Sequence, residues 1–393
     1  MSNRREFLKT MTVSGAAVTV SAFLDSAAGA DTVPPPIAAE PCYTVSMRQI
    51  ESPAIPRREI VIPDVEGFQV LKGDYHIHTL FSDGDVMPAD RVAEAYQNGL
   101  DAIAITDHIE YRPFFGGGGR FPLRERNDDY NLSYEIAKPV ADSKKLLLVR
   151  GTEITKSRMP PGHFNALFVE DVNPIAAEVA DWRKMLRTAV EQGGFIQWNH
   201  PGWAAPGSGG LEHGEPMRFT AEHEEAHQQG LMHGIEIFNG SEYYPIVSDW
   251  CNERDLAVIA NSDIHRTELT AYGIHNPLRP ITLALAKERS VESLREAFFA
   301  KRTIGWAAGM LWGREPWLAA LFRASVEIKP VNPGVLRFTN KSSLPCTVSV
   351  GNMTCDLPKD SPRQVARPKD GDRLFVTNWF MGTFRPLEIA LGE

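Results

Sequence analysis

The sequence predicts an α/β fold: a mostly parallel sheet, closed or nearly closed as a barrel, followed by a small β-rich domain. Three observations predict it. Between about residues 68 and 300, short runs of alternating apolar residues take turns with stretches of helical spacing. Six segments rich in His, Asp and Glu sit at the ends of those predicted strands. After about residue 318 the helical spacing gives way to short β-like runs divided by Pro, Asn, Gly and Asp. Strands alternating with helices favour a parallel sheet, because each crossover helix covers one of its faces.

Taken in order, residues 1–30 read as an export signal. Arg4-Arg5-Glu6-Phe7-Leu8-Lys9 resembles the twin-arginine motif, residues 10–24 are uncharged and mildly apolar, and Ala28-Gly29-Ala30 offers a small-residue cleavage site. Residues 31–67 form a leader or linker, Pro-rich through Pro34, Pro35, Pro36, Pro41, Pro53 and Pro56. The barrel is expected over 68–317. Its first strand is 73–78. A helix over 90–98 follows, with Pro88 near its start and Gly99 just past its end. Further strands are predicted at 100–106, 146–149, 164–169, 194–198, 234–238, 257–260 and 281–285, with helices over 131–142, 174–192, 220–230, 244–254 and 291–300. The β domain is expected over 318–393, with strands at 326–328, 335–338, 347–350 and 374–377. The glycine run 116–119 lacks a strand-loop-helix context and a following Lys, so it reads as a spacer or lid rather than a phosphate loop.

Composition narrows the function. The chain has 393 residues, 43% hydrophobic and 23% charged, with a formal net charge of −9. That balance disfavours general binding to nucleic acid or acidic membranes. The first 30 residues carry a net +1, so the remainder carries −10. No segment is long and apolar enough for stable membrane insertion, and a periplasmic or secreted protein exported by the twin-arginine machinery is expected. None of the cysteines Cys42, Cys251, Cys346 and Cys355 forms a Cys-x-x-Cys pair. Cys346 and Cys355, nine apart, either pair in an oxidising compartment or remain two thiols.

The 11 histidines are more informative. The segments are Asp74-Tyr75-His76-Ile77-His78-Thr79 with Ser82-Asp83-Gly84; Thr106-Asp107-His108; Gly151-Thr152-Glu153-Ile154; Gly162-His163-Phe164; Trp198-Asn199-His200-Pro201; and Asn261-Ser262-Asp263-Ile264-His265. Each lies at or just past a strand's end, except His163 at a strand's start. In parallel barrels the C-terminal strand ends converge on one face, where active sites sit. His76 and His78 are two apart, as are Asp263 and His265, so on extended chain each pair points one way. Mixed imidazole and carboxylate suits borderline divalent metals, and a carboxylate such as Glu153 can bridge two ions.

These motifs, in this order, resemble the PHP (polymerase and histidinol phosphatase) domain over about residues 70–310. The resemblance implies a distorted (β/α)7 barrel with two or three divalent metal ions (Mn, Zn or Fe). Carried over by motif, it implies His76, His78, Glu153 and Asp263 on one ion. Glu153, His163 and His200 would hold a second, and Asp83, His108 and His265 a third. Glu153 and Asp263 would bridge or orient the ions, and the nucleophile would be a metal-activated hydroxide. A closer likeness lies in Asp107-His108-Ile109-Glu110-Tyr111-Arg112-Pro113, Tyr134-Glu135-Ile136-Ala137-Lys138-Pro139, Met159-Pro160-Pro161-Gly162-His163-Phe164-Asn165-Ala166 and Met232-His233-Gly234-Ile235-Glu236. These resemble the bacterial PHP phosphodiesterases acting on alkyl and haloalkyl phosphate diesters.

The leading expectation is a metal-dependent phosphodiesterase for small phosphoesters. Alternatives are a carboxylester, carbamate or amide hydrolase, a phosphomonoesterase, or a catalytically silent metal-binding module. Candidate substrate-binding residues are Arg112, Lys156, Arg158 and Asn199, each as readily an ion-paired or structural residue. Trp203, Tyr243 and Tyr244 are pocket-wall or core aromatics. His223-Glu224-Glu225-Ala226-His227 matches a zinc-protease pattern, but its helix is polar nearly all round and reads as a solvated one. His213, His233 and His275 read as surface or packing residues.

Overall fold

The first strand forms four residues upstream of its predicted place, so the His76 and His78 segment follows the strand instead of lying in it. The structure, a computed structural model, describes residues 56–112, 129–154, 161–203, 217–273, 278–351, 353–367 and 373–390. The export signal, Cys42, the glycine run, Lys156, Arg158, His213 and His275 lie outside the described residues. The strands up to residue 313 are β1 (Gln69–Asp74), β2 (Ala102–Ile105), β3 (Leu147–Ile154), β4 (Phe164–Leu167), β5 (Phe195–Trp198), β6 (Gly234–Asn239), β7 (Glu242–Tyr243), β8 (Ala257–Asn261), β9 (Ile281–Ala286), β10 (Thr303–Ala307) and β11 (Met310–Gly313).

Within the large sheet, β1, β2 and β3 pair in parallel, as do β5, β6 and β8. β4 runs antiparallel between β3 and β5, and β9 antiparallel to β1. Among the described residues no continuous ladder joins β8 to β1. They meet through one parallel bridge, Ile77 with Ile264, and through the Tyr75 amide, which donates to Asn261 Oδ1 at 2.8 Å. The sheet is therefore less uniformly parallel than the alternation of strands and helices suggested.

Local signals explain most helix boundaries. The helix Pro88–Gln97 has Pro in its first turn and ends before Gly99, whose φ of +83° suits glycine. The predicted helix over 174–192 divides into Asn173–Ala177 and Trp182–Glu191. Asp181 causes the break: extended, it accepts from the Arg183 amide at 3.0 Å and caps the second piece.

The helix Glu315–Ser325 was not foreseen, because apolar Leu318, Ala319, Ala320, Leu321 and Phe322 are all buried and leave little amphipathic rhythm. Beyond it lie β12 (Val326–Asn332), β13 (Val335–Asn340), β14 (Thr347–Val350), β15 (Met353–Asp356), β16 (Arg363–Ala366), β17 (Leu374–Gly382) and β18 (Arg385–Ile389). β12, β13 and β16 form a separate three-stranded antiparallel sheet. β17 pairs in parallel with β11 and carries β14, β15 and β18 with it, so the tail also prolongs the large sheet. Cys251, Cys346 and Cys355 are free thiols. Cys355 lies opposite Val348 in the β14–β15 ladder, which leaves Cys346 without it as a partner.

The core surrounds the sheet on both faces. β2 shows this: Ala102 and Ala104 pack with Tyr75, Phe195 and Phe298, while Ile103 and Ile105 pack with Val92 and Ala95 of the first helix. Burying both faces is what parallel strands require. Residues 55–393 form one compact unit. Among the described residues no helix is long and apolar enough to cross a membrane.

Candidate metal centre

One end of the large sheet gathers the imidazoles and carboxylates. His76 and His78 follow β1, His108 follows β2, Glu153 ends β3, His200 follows β5, and Asp263 and His265 follow β8. His163 precedes β4. Because β4 runs antiparallel, its start lies at the same end as its neighbours' finish, which explains the one segment that broke the strand-end pattern. Asp83 comes from the loop after His78.

Glu153 stands at the middle. Its Oε2 lies 3.3 Å from His76 Nε2, 3.2 Å from His78 Nε2 and 3.1 Å from His108 Nδ1. Its Oε1 lies 3.0 Å from His163 Nδ1 and 3.5 Å from His200 Nε2. Asp263 Oδ1 is 3.2 Å from His76 Nε2 and 3.0 Å from His78 Nε2. Asp83 is within 3.3 Å of His265 Nε2, 3.4 Å of His108 Nε2 and 3.5 Å of His78 Nδ1. All nine side chains singled out from the sequence thus converge. Eight of them fall into three overlapping groups able to hold a divalent ion: His78, Asp83, His108 and His265; His76, Glu153 and His200; and His76, His78 and Asp263. The ninth, His163, belongs to none of these groups and meets the site at Glu153.

The donor chemistry fits divalent cations. Among the described residues, buried His78 Nε2 and Asp263 Oδ1 have no hydrogen-bond partner, although only 3.0 Å separates them. A buried polar atom without a partner is costly, and a cation between such atoms removes that cost. Nitrogen and oxygen donors together suit Zn, Mn or Fe.

The electrostatics follow from the packing. Burial alone lowers the His76 and His78 values, but Asp263 and Glu153 outweigh it for both, with Glu236 adding to His76. His78 is pushed up to about 10 and His76 well above its ordinary value. His163 goes the other way, because burial dominates there. Burial would raise Glu153 and Asp263, yet the surrounding imidazoles hold both well below the usual carboxylate range. The carboxylates are therefore anionic, as cation ligands must be.

Several supporting residues escaped the sequence reading. Arg91 is fully buried and donates to the carbonyls of His78, Ile264 and Arg266, tying the first and last ligand-bearing loops to one helix. Asp107 accepts from the Thr79 amide, the Thr79 hydroxyl and the Ser82 hydroxyl. Asp74 accepts from the Ser262 amide and hydroxyl, next to Asp263. Glu236 accepts from His76 Nδ1. A lone Glu inside the apolar run Gly234-Ile235-Glu236-Ile237-Phe238 was the available signal.

The other candidates separate. Asn199 is buried, and its amide donates to Glu153 Oε1 at 3.0 Å and to Asn165 Oδ1, an arrangement that orients Glu153. Arg112 donates to the Phe81 carbonyl and lies over the Tyr130 ring. Trp203 packs on His163 and His200, with ring centroids 5.3 and 5.5 Å away. Tyr243 packs on Phe238 and Trp312, and the Tyr244 hydroxyl donates to Glu242.

The His223–His227 helix is not the solvated one expected. His223 is buried, stacks on Trp198 and bonds the Pro161 carbonyl through Nε2. His227 Nε2 bonds the Arg254 carbonyl. With each ring engaged by a different backbone carbonyl, the pair does not form a zinc site. His227→Ala is expected to leave the rate of hydrolysis within about threefold of wild type and the bound metal unchanged, since its hydrogen bond is worth only about 1 kcal/mol. Steady-state assay with elemental analysis checks this, and a collapse of both quantities would restore the protease-like reading.

Comparison with known proteins places these residues in context. A model of the PHP domain matches residues 74–201. The crystal structure of a two-domain protein from Bacteroides vulgatus, described as containing a predicted PHP-like metal-dependent phosphoesterase, is 35% identical. It superposes with a TM-score of 0.76 over 85% of this chain and 98% of that one. An uncharacterized protein of Methanocaldococcus jannaschii is 31% identical over 91 residues, 23% of this chain. The match spans 36% of that relative's length.

Proposed function

The chain belongs to the PHP-domain family, and on that premise we propose that it is a metal-dependent phosphodiesterase acting on small phosphate diesters. The observation that carries the reading is the convergence of six imidazoles and three carboxylates at one end of the sheet. The likeness to a protein described as containing a PHP-like metal-dependent phosphoesterase supports phosphoester chemistry. The diester preference rests on the segments around Arg112, Lys138, Pro161 and Glu236 that resemble the alkyl phosphate diesterases. We read the sheet as a distorted (β/α)7 barrel closed by the Ile77–Ile264 bridge, with 318–393 as its β-rich appendage. We also propose export to the periplasm by the twin-arginine route, on the strength of Arg4, Arg5 and the apolar stretch after them.

When bound, two or three divalent ions supply an activated water and neutralise charge on the phosphate and its leaving group. The chain's own residues prepare that site. His76, His78, Asp83, His108, Glu153, His163, His200, Asp263 and His265 would hold the ions. Glu153 turns one oxygen to His76, His78 and His108 and the other to His163 and His200, so a single carboxylate spans neighbouring positions. Asn199 fixes the second oxygen. Trp203 packs on the His163 and His200 side, where its ring offers an apolar face to an ester group.

The test compares metal-loaded protein on bis(p-nitrophenyl) phosphate, p-nitrophenyl phosphate and p-nitrophenyl acetate. The diester is expected to be turned over fastest. Much faster turnover of the monoester points to a phosphomonoesterase, and of the acetate to a carboxylester hydrolase; either result displaces the diesterase reading.

A further inference from the structure

Glu236 sits on β6 between apolar Ile235 and Ile237, with no solvent exposure. An isolated charge there is expensive unless donors surround it. Five do. Oε1 accepts from His76 Nδ1, Gln197 Nε2 and Asn261 Nδ2, each at 2.9 Å. Oε2 accepts from the His200 amide and from Asn239 Nδ2, each at 2.8 Å. An ionised carboxylate offers about four lone-pair positions and donates nothing, so this one is saturated.

Two of those donors belong to residues of the candidate centre, His76 and His200. A carboxylate can only accept, so His76 Nδ1 carries its proton and Nε2 turns toward Glu153 and Asp263. The second donor is backbone. His200 has φ +25°, a conformation that a residue with a side chain rarely adopts, and the Glu236 oxygen holds that amide in place.

We propose that Glu236 is the positioning residue that fixes His76 and His200 together, setting the ring orientation of one and the strained backbone of the other. The proposal rests on the metal-centre reading above. It assigns to one carboxylate the geometry of two ligand positions that the sequence places 124 residues apart. Gln at this position has a single acceptor oxygen, and its amide group can only donate. It would therefore face at least two of the five donors with another donor. His76 must then turn its ring or move its proton to Nε2, and the His200 amide loses its anchor.

The experiment strips metal from the full-length protein and titrates it with Zn²⁺ against a chromophoric chelator, for wild type and Glu236→Gln. The visible spectrum of the Co²⁺-loaded protein and the thermal melt of the stripped protein are recorded beside it. Zn²⁺ binding is expected to weaken 10–100-fold, as for other groups that orient metal ligands, with a changed Co²⁺ spectrum. Equal Zn²⁺ affinity and an identical Co²⁺ spectrum overturn the proposal, even if the melt shifts, because that pattern marks a purely structural residue. Wild-type protein that takes up neither ion overturns the metal reading, and this inference with it. If Glu236→Gln does not fold, Glu236→Asp keeps both oxygens but withdraws them by one methylene. It should weaken Zn²⁺ binding about tenfold, and unchanged affinity overturns the proposal there too.

Discussion

Glu153→Gln is expected to lower kcat on the diester on the order of 10³-fold, the scale on which a preorganised charged site loses rate when one group is removed. Bound metal should fall in the same preparation. The reason is geometric. Glu153 presents one oxygen to three imidazoles and the other to two, and almost none of its surface reaches solvent. An amide keeps the shape, loses the charge and offers a single acceptor. Asn199, which now donates to Oε1, would meet either the oxygen or a second amide group. Steady-state kinetics and elemental analysis on the same batch make the test. A variant that retains full activity and full metal content would remove Glu153 from the centre.

Arg279→Leu is expected to produce a large loss of stability, about 3–5 kcal/mol, read as a shift of the urea midpoint. Arg279 and Asp74 are both wholly buried, with Nη1 3.1 Å from Oδ2, and Arg279 Nε lies 3.5 Å from Glu268. Burial already raises Asp74 and Glu268 above their ordinary values despite the guanidinium. Without Arg279 the two carboxyls lose the cation they share. The cost is not confined to folding. Asp74 also holds the Ser262 amide and hydroxyl, immediately before Asp263, so bound metal should fall as well. An unchanged urea midpoint would mean that the cavity rearranges or admits water around the two carboxyls.

Much of the fold was legible because its signals are local. Pro88 and Gly99 bracket a helix, and the alternating runs over 100–106, 194–198 and 257–260 became the strands Ala102–Ile105, Phe195–Trp198 and Ala257–Asn261. What stayed hidden was non-local. β4 and β9 run antiparallel to their neighbours, yet alternation along a strand reads the same in either direction. The pairing of β11 with β17, which sets Leu311 opposite Trp379, depends on a partner distant in sequence.

The site divides in the same way. The nine metal-ligating candidates were legible because each carries its chemistry in a short motif at the edge of a strand. Arg91, Asp107 and Glu236 were not, because a buried Arg, Asp or Glu looks like any surface charge until its partners are known. Asn199 was seen, but only its hydrogen bonds show that it faces Glu153. By itself, then, the sequence determined the class of fold, the family and the list of metal-binding candidates, all of which rest on residue type and spacing. Tertiary structure alone decided strand direction, which made His163 converge with the rest. It also decided which buried polar groups orient the others, since hydrogen bonding and burial depend on neighbours that the linear order does not reveal.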